Sequence, residues 1–509
     1  MLDTQSTPEV DAPAGARRPG LVLAVTCLAL AVVVSAMASL NVALPDIAAQ
    51  THADQTQQSW IIDAYSLVFA SLLLPAGALG DRFGRRRALI AGLVIYGAAS
   101  AAAALSTSPD MLIALRAVMG AGAALVMPAT LSTITSTFPR EQRARAVSVW
   151  AAVAGASGVL GLMASGMLLQ SWSWSSVFWF NAALVTVALV GTLVFVPESA
   201  ERGAPRLDVV GAVLAAGGVA TVVYAVIEAP VNSWGSATTL GGLGLGLLLV
   251  AGFVLWELRQ RHPLLDPRLF RNRRFAAGSL SITMQFFALF GFMFVLMQYL
   301  QLLRGDSALE AALSLLAMPI GMVPTSRLSP RLSARFGARG PWTLGLLGLA
   351  AGLAILAQLG TNSSYLAVAA GLIPLGAGLG LAMPPATTAI TDALPPQLQN
   401  VGSAVNDLAR ELGGALGIAV LSSLLNGVYR DHLHPAGVPA HVTEVARSSI
   451  AAATAIGGPV LDPARTAFTD GLHVALLAAS AVALTAALAV AALLGRRRRR
   501  DPAADADAD

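Results

Sequence analysis

Five charged side chains lie where charge is expensive. Asp63, Arg116, Asp407, Arg410 and Glu411 fall inside apolar runs of about 20 residues. Asp or Arg near a bilayer centre costs roughly 2.5 to 3.5 kcal/mol on insertion scales, so such residues are functional candidates by default. Asp63 stands between Trp60 and Tyr65. A permanent organic cation in a low-dielectric cavity is attracted by a carboxylate and by aromatic faces together. Burial favours a carboxyl's neutral form, so the same group takes a proton as the cation leaves. That competition is the chemistry of antiport. The plainer reading is a packing Asp satisfied by Arg116 or by backbone. Arg116 cannot lose its charge and must find a carboxylate, a carbonyl or water. Asp407 and Glu411 are four residues apart, so they share one helix face with Arg410 beside them. They form either a self-neutralising cluster or a second site for a cation or proton.

A second group of charges closes the run that holds Asp63. The loop Gly80-Asp81-Arg82-Phe83-Gly84-Arg85-Arg86-Arg87 carries four arginines and one aspartate. Gly80 and Gly84 allow a tight turn with close helix approach. Asp81 can meet a neighbouring helix N-terminus or an arginine, so the loop can latch two bundles in one state. The arginines taken alone need only fix orientation, a task to which Asp81 and the spaced glycines add nothing.

The elements that must position these groups are membrane helices. Of 509 residues, 56% are hydrophobic and 12% charged, and the mean hydropathy is +0.69. A soluble domain has about 25% charged residues. Apolar runs long enough to cross a bilayer recur to the end of the chain. They predict fourteen spans near 20–44, 58–80, 88–105, 111–135, 146–170, 176–196, 209–228, 237–257, 275–303, 309–328, 342–360, 364–388, 401–424 and 469–494. The first run is too long for a signal-peptide core.

All 32 basic residues are arginine. Those outside the spans concentrate in alternate loops and at both ends: Arg17 and Arg18, four at 82–87, three at 140–145, two at 202–206, six at 259–274, four at 327–339 and five at 496–500. The opposite loops hold only Arg304, Arg430, Arg447 and Arg465. By the positive-inside rule both termini are cytoplasmic. Orientation therefore accounts for the basic balance, and nucleic acid is not expected as a partner. Without lysine there is no Walker A loop, so the chain itself does not hydrolyse ATP. Cys27 is the single cysteine, which excludes an internal disulfide. No nucleophile–base pair suggests an enzyme.

Three further stretches stand out. Gly155, Gly158, Gly161 and Gly166 in span 5 are small residues that let helices pack closely. Span 9 is rich in Phe and Met, with Phe290, Met293 and Met297 as candidates for a promiscuous apolar pocket or for a packing stripe. The stretch 425–468, with His432, His434 and His441, reads as a solvated outer loop without metal-ligand spacing. Glu228 reads as interfacial, and the Asp- and Ala-rich tail after Arg500 as disordered.

The chain also repeats. A shift of about 256 residues lays Gly120 on Gly376, Gly122 on Gly378, Met127-Pro128 on Met383-Pro384, Pro139 on Pro395, Gly158 on Gly414 and Gly161 on Gly417. A shift of 253 lays Arg82-Phe83-Gly84 on Arg335-Phe336-Gly337. The fold expected is all-α and polytopic: two six-helix bundles with two inserted helices. Its parts are a tail at 1–19, a bundle at 20–196, a linker with spans 7 and 8 at 197–274, a bundle at 275–494 and a tail at 495–509. Parallel repeats around a midplane site are a transporter architecture.

On these motifs the chain resembles the major facilitator superfamily, specifically its 14-span drug:proton antiporters. The resemblance rests on GDRFGRRR at 80–87, LIALRAVMGAGAA from Leu112, the Leu-Asp-x-x-Gly stretch at 207–211, HPLLDPRLFRNRRF at 262–275 and AVNDLARELGGALG from Ala404. It implies proton coupling for Arg116. Asp63 in the Trp60–Tyr65 pattern resembles the subset that exports quaternary ammonium compounds and other lipophilic cations. Departures are Ala36, where the family often has Asp nine residues before the Pro of N41VALP, and Gly161-Leu162, where it has Gly-Pro. The implied protein is a monomeric multi-pass exporter in a bacterial cytoplasmic membrane. It is driven by the proton gradient with no cofactor, and moves hydrophobic or cationic drugs. A narrow exporter of one endogenous antibiotic or lipid carries the same motifs.

Overall fold

A computed structural model describes residues 18–51, 53, 55–198, 208–261, 263–361, 363–394, 398–448 and 450–495. Both tails up to Arg17 and from Arg496, the arginines at 202 and 206, Leu207, His262 and Pro395 lie outside the described residues. So do the side chains of Asn41, Pro45 and Arg140.

The described chain is helical throughout, in seventeen helices: α1 Pro19–Thr51, α2 Gln55–Phe83, α3 Arg85–Ala104, α4 Pro109–Thr137, α5 Arg140–Leu169, α6 Ser175–Phe195, α7 Val209–Asn232, α8 Ala237–Glu257, α9 Arg273–Gln298, α10 Ala308–Ser314, α11 Ala317–Phe336, α12 Arg339–Leu356, α13 Tyr365–Thr391, α14 Gln399–His432, α15 Ala440–Ser448, α16 Ile450–Ile456 and α17 Leu461–Leu493. Fourteen helical segments among the described residues are long and apolar enough to cross a membrane, in the order the hydropathy predicts. Helix starts follow local chemistry. Ser108 caps α4 by accepting from Met111 N with Pro109 in the first turn, and Asp208 caps α7 by accepting from Gly211 N at 2.8 Å. Pro75, Pro128, Pro374 and Pro384 lie within helices, as membrane helices tolerate.

The stretch 425–468 differs from its expected loop. α14 continues to His432, α15 and α16 follow, and α17 begins at Leu461. Polar residues interrupt this stretch, but its Ala-rich segments still wind into helix.

The chain divides into two compact units. One holds residues 1–207 with 396–404; the other holds 208–395 and 405–509, so spans 7 and 8 cluster with the C-terminal half. In the first unit α2 packs on α4, α3 on α4 and α6, and α1 on α5. In the second, α11 packs on α13 and α12 on α13 and α17. The repeated glycines sit at equivalent crossings. A Cβ on Gly122 would meet Tyr96 N of α3 at 2.8 Å, and one on Gly378 would collide with the backbone of α12. Gly161 faces Ser35 of α1, where a Cβ would lie 2.6 Å from its carbonyl, and Gly417 faces Phe287 of α9 in the same way. Backbones approach this closely only over small residues. The sequence repeat is therefore also a repeat of helix pairing.

Candidate functional site

The first unit places Arg116, Tyr65 and Asp63 together. Arg116 is 1% exposed. Its Nε donates to the Ile61 carbonyl at 2.9 Å, and its guanidinium lies over the Tyr65 ring, 4.3 Å from the centroid. Tyr65 is buried, stacks on Phe69 at 5.9 Å and donates its hydroxyl to Val33 O at 3.2 Å. The arginine has thus found a carbonyl and an aromatic face in place of water. Asp63, half-buried two residues beyond Ile61, acts on Arg116 electrostatically, as does Tyr96 of α3. By gripping the Ile61 carbonyl, Arg116 fixes the turn of α2 that carries Asp63. Trp60 is half-buried one turn before Ala64. Ala36 is buried and apolar, so α1 offers no acid at that position.

The second unit holds a tighter cluster. Asp407, Arg410 and Glu411 are 1%, 4% and 9% exposed. Arg410 Nη1 is 3.5 Å from Asp407 Oδ1, and Asn406 Nδ2 donates to that same oxygen at 3.3 Å. Glu411 interacts electrostatically with both. The guanidinium lies over Phe286, 4.5 Å from its centroid. Two carboxylates share one arginine out of water, so the fully ionised cluster carries one excess negative charge. One added positive charge would neutralise it.

Phe286 stands edge-on to Phe290 at 5.6 Å, and Phe290 packs over Gly414. Phe290, Met293 and Met297 are half-buried at i, i+3 and i+7, so they line one face of α9. Sequence reasoning named that face and missed Phe286, the ring Arg410 uses, together with Tyr96 and Asn406. It also missed Gln285, which donates to Ser281 Oγ at 2.8 Å while Trp342 of α12 donates to the same oxygen. Phe and Met recur on several faces of this helix and so give no single helical phase. The polar pair Asn406-Asp407 was a visible signal.

The arginine loop is a built turn. Gly84 has φ 105°, a conformation open to glycine, and its N–H donates to Gly80 O at 3.0 Å. Asp81 is buried. Its Oδ2 accepts from Val401 N at 3.0 Å, and its Oδ1 is 3.8 Å from Arg85 Nη2, also buried. Both partners foreseen for it, a helix N-terminus and an arginine, are therefore present. Val401 belongs to the first turn of α14, which clusters with the first unit. Arg86 donates to Leu193 O at 2.7 Å at the end of α6. Arg87 is 3.6 Å from Glu198, and exposed Arg82 lies over Phe83.

The remaining candidates are scattered. Of the span 5 glycines, Gly161 is buried against α1, while Gly155, Gly158 and Gly166 are half-buried. Glu228 accepts from Asn232 at an exposed site. His432 contacts Asp470, His434 contacts Arg447, and His441 is exposed.

Comparison with known proteins bears on the family and the fold. The model of the Major Facilitator Superfamily matches residues 26–418. The Tetracenomycin C resistance and export protein of Streptomyces glaucescens is 32% identical over 494 residues, covering 93% of this chain and 91% of that protein. The multidrug resistance protein Stp of Mycobacterium tuberculosis is 34% identical, covering 90% and 88%. The methyl viologen resistance protein SmvA of Salmonella typhimurium is 34% identical, covering 91% and 95%. Among solved structures, the human organic anion transporter MFSD10 superposes with a TM-score of 0.63 at 14% identity, covering 93% of this chain and 99% of that one, a likeness of fold.

Proposed function

The chain belongs to the Major Facilitator Superfamily, in company with drug- and antibiotic-resistance exporters, and from that membership we propose that it is a proton-coupled exporter of hydrophobic, cationic small molecules. The observation that carries the proposal is the excess buried negative charge at Asp407, Arg410 and Glu411. A charge imbalance inside a membrane-spanning helix is costly, and it is relieved in turn by a proton and by a cationic substrate. Asp63, held on a turn gripped by Arg116, serves as the other cation and proton site. Trp60, Tyr65 and the Phe290–Met297 face of α9 supply aromatic and thioether surface. The relative named for methyl viologen, a permanently charged organic dication, supports this substrate class.

In the proposed cycle, a monomer in the bacterial cytoplasmic membrane, with both termini cytoplasmic, loses protons inward and binds the cation. It releases the cation outward as protons return, by alternating access. No cofactor and no ATP take part. The Asp81–Val401 hydrogen bond holds the first turn of α14 in one state of the cycle.

Substrate-dependent proton movement in proteoliposomes tests the coupling, and silence across a panel of cations and neutral drugs counts against it. Asp63→Asn is expected to abolish ethidium and benzalkonium efflux at normal expression; full efflux from that variant removes Asp63 from the mechanism. A second reading, export of one self-made antibiotic, is favoured by the relative named for tetracenomycin C. Substrate profiling in a pump-deficient host separates the two.

A further inference from the structure

Six arginines crowd the short connection between α8 and α9: Arg259, Arg261, Arg268, Arg271, Arg273 and Arg274. All six are exposed, and none forms an ion pair among the described residues. Arg268 donates to Leu258 O at 3.5 Å, and several arginines elsewhere outside the spans are more closely held. Arg86 and Arg87 bond Leu193 O and Glu198. The four on the opposite side pair with acids: Arg304 with Asp306, Arg430 and Arg447 with Glu444, and Arg465 with Asp462. Only one acid, Asp266, lies between Arg259 and Arg274, and it is occupied with the backbone.

Fixing membrane orientation asks for charge but for no particular shape. This connection nonetheless has a shape. Glu257, buried at the end of α8, accepts from Leu264 N at 2.7 Å, and Leu264 and Leu265 are buried behind it. Asp266 then caps a 3-10 turn, Pro267–Arg271, by accepting from Arg268 N at 2.9 Å. Asn272 caps α9 by accepting from Arg274 N at 3.0 Å. Phe275 is buried and meets Phe270 edge-on at 5.0 Å, while Phe270 itself is 48% exposed. The result is a ledge, held by backbone caps, that carries six exposed arginines and an exposed aromatic ring where a long apolar helix begins.

We infer that this ledge binds the headgroups of anionic phospholipids in the leaflet that α9 enters. Guanidinium forks match phosphate oxygens in pairs, and Arg clusters beside a membrane helix attract anionic lipid. Phe270 supplies an amphipathic surface at headgroup depth. The inference rests on the reading that this end of α9 faces the cytoplasm.

Native mass spectrometry of the full-length protein, loaded with equal phosphatidylglycerol and phosphatidylcholine, tests it. The wild type is expected to retain phosphatidylglycerol in preference by roughly tenfold or more, less as ionic strength rises. The triple variant Arg268→Gln, Arg271→Gln, Arg274→Gln should approach parity. The matching lysine variant, which keeps the charge and therefore the orientation, should fall between. Parity in the wild type, or an unchanged preference in the glutamine variant, overturns the inference. So does displacement of the lipid by inorganic phosphate, which would reassign the ledge to a free anion. Should the glutamine variant fail to fold, the wild-type preference and the lysine variant still decide. A cysteine at Gln260 in a Cys27→Ser background, labelled from either side of the membrane, reads the orientation separately.

Discussion

The turn at Arg82-Phe83-Gly84 and the turn at Arg335-Phe336-Gly337 are the same object with different flanks. In both, glycine takes a positive φ, 105° and 78°. In both, the arginine lies over the adjacent phenylalanine, at 5.7 and 5.3 Å. The difference is what flanks them. Asp81 is buried and bonds Val401 N, whereas its counterpart Ala334 is exposed, and so is Ala338 where the first turn has buried Arg85. The turn is shared scaffold, and the acid is an addition to one half. The buried arginines are not counterparts of this kind, since the 256-residue shift lays Arg116 on Leu372 and Ala154 on Arg410. Arg116 and Arg410 each lie over a ring, but Arg116 answers Asp63 while Arg410 must answer Asp407 and Glu411. The turn repeats, and the placement of charge makes the halves unequal.

Removing the inequality should have the largest effect. Glu411→Gln leaves one acid for one arginine and is expected to reduce gradient-driven efflux by roughly 100-fold, the scale of losing an essential proton carrier. Ethidium efflux from proteoliposomes under an imposed pH gradient measures it, and substrate exchange without a gradient should persist. Near-normal driven efflux would mean that the charge imbalance is not used. Next, Asp81→Ala leaves Val401 N buried without its acceptor, a penalty of about 1–3 kcal/mol, and should slow transport about tenfold. The mirror change Ala334→Asp should leave the rate near wild type; equal effects would erase the distinction between the two turns. The smallest effects belong to the shared scaffold. Gly84→Ala and Gly337→Ala should each lower stability by about 1–3 kcal/mol, alike in both halves, as thermal unfolding in detergent would report.

The fold was legible because membrane helices announce themselves by length and apolarity, and because the repeated glycines mark backbone crossings. The acids and arginines of the site were legible for a related reason: a charge in an apolar run stands out. What escaped were partners without a distinctive residue type. Arg116 is held by the Ile61 carbonyl, a group every residue has. Phe286 was lost among equivalent phenylalanines, since Phe at 286, 287, 290, 292 and 294 falls on several faces of one helix and does not show which ring meets Arg410. At 440–456 composition spoke to hydropathy and not to winding, so α15 and α16 were unforeseen.

The pair α7 and α8 packs chiefly on itself, tied to its neighbours by Trp234 bonding Ser423 at one end and Glu257 bonding Leu264 at the other. A part fastened at its ends is a graft more than a beam. The pairings among α1 to α6 and among α9 to α17 are made without it, so a change of length or composition inside the hairpin need not disturb either set.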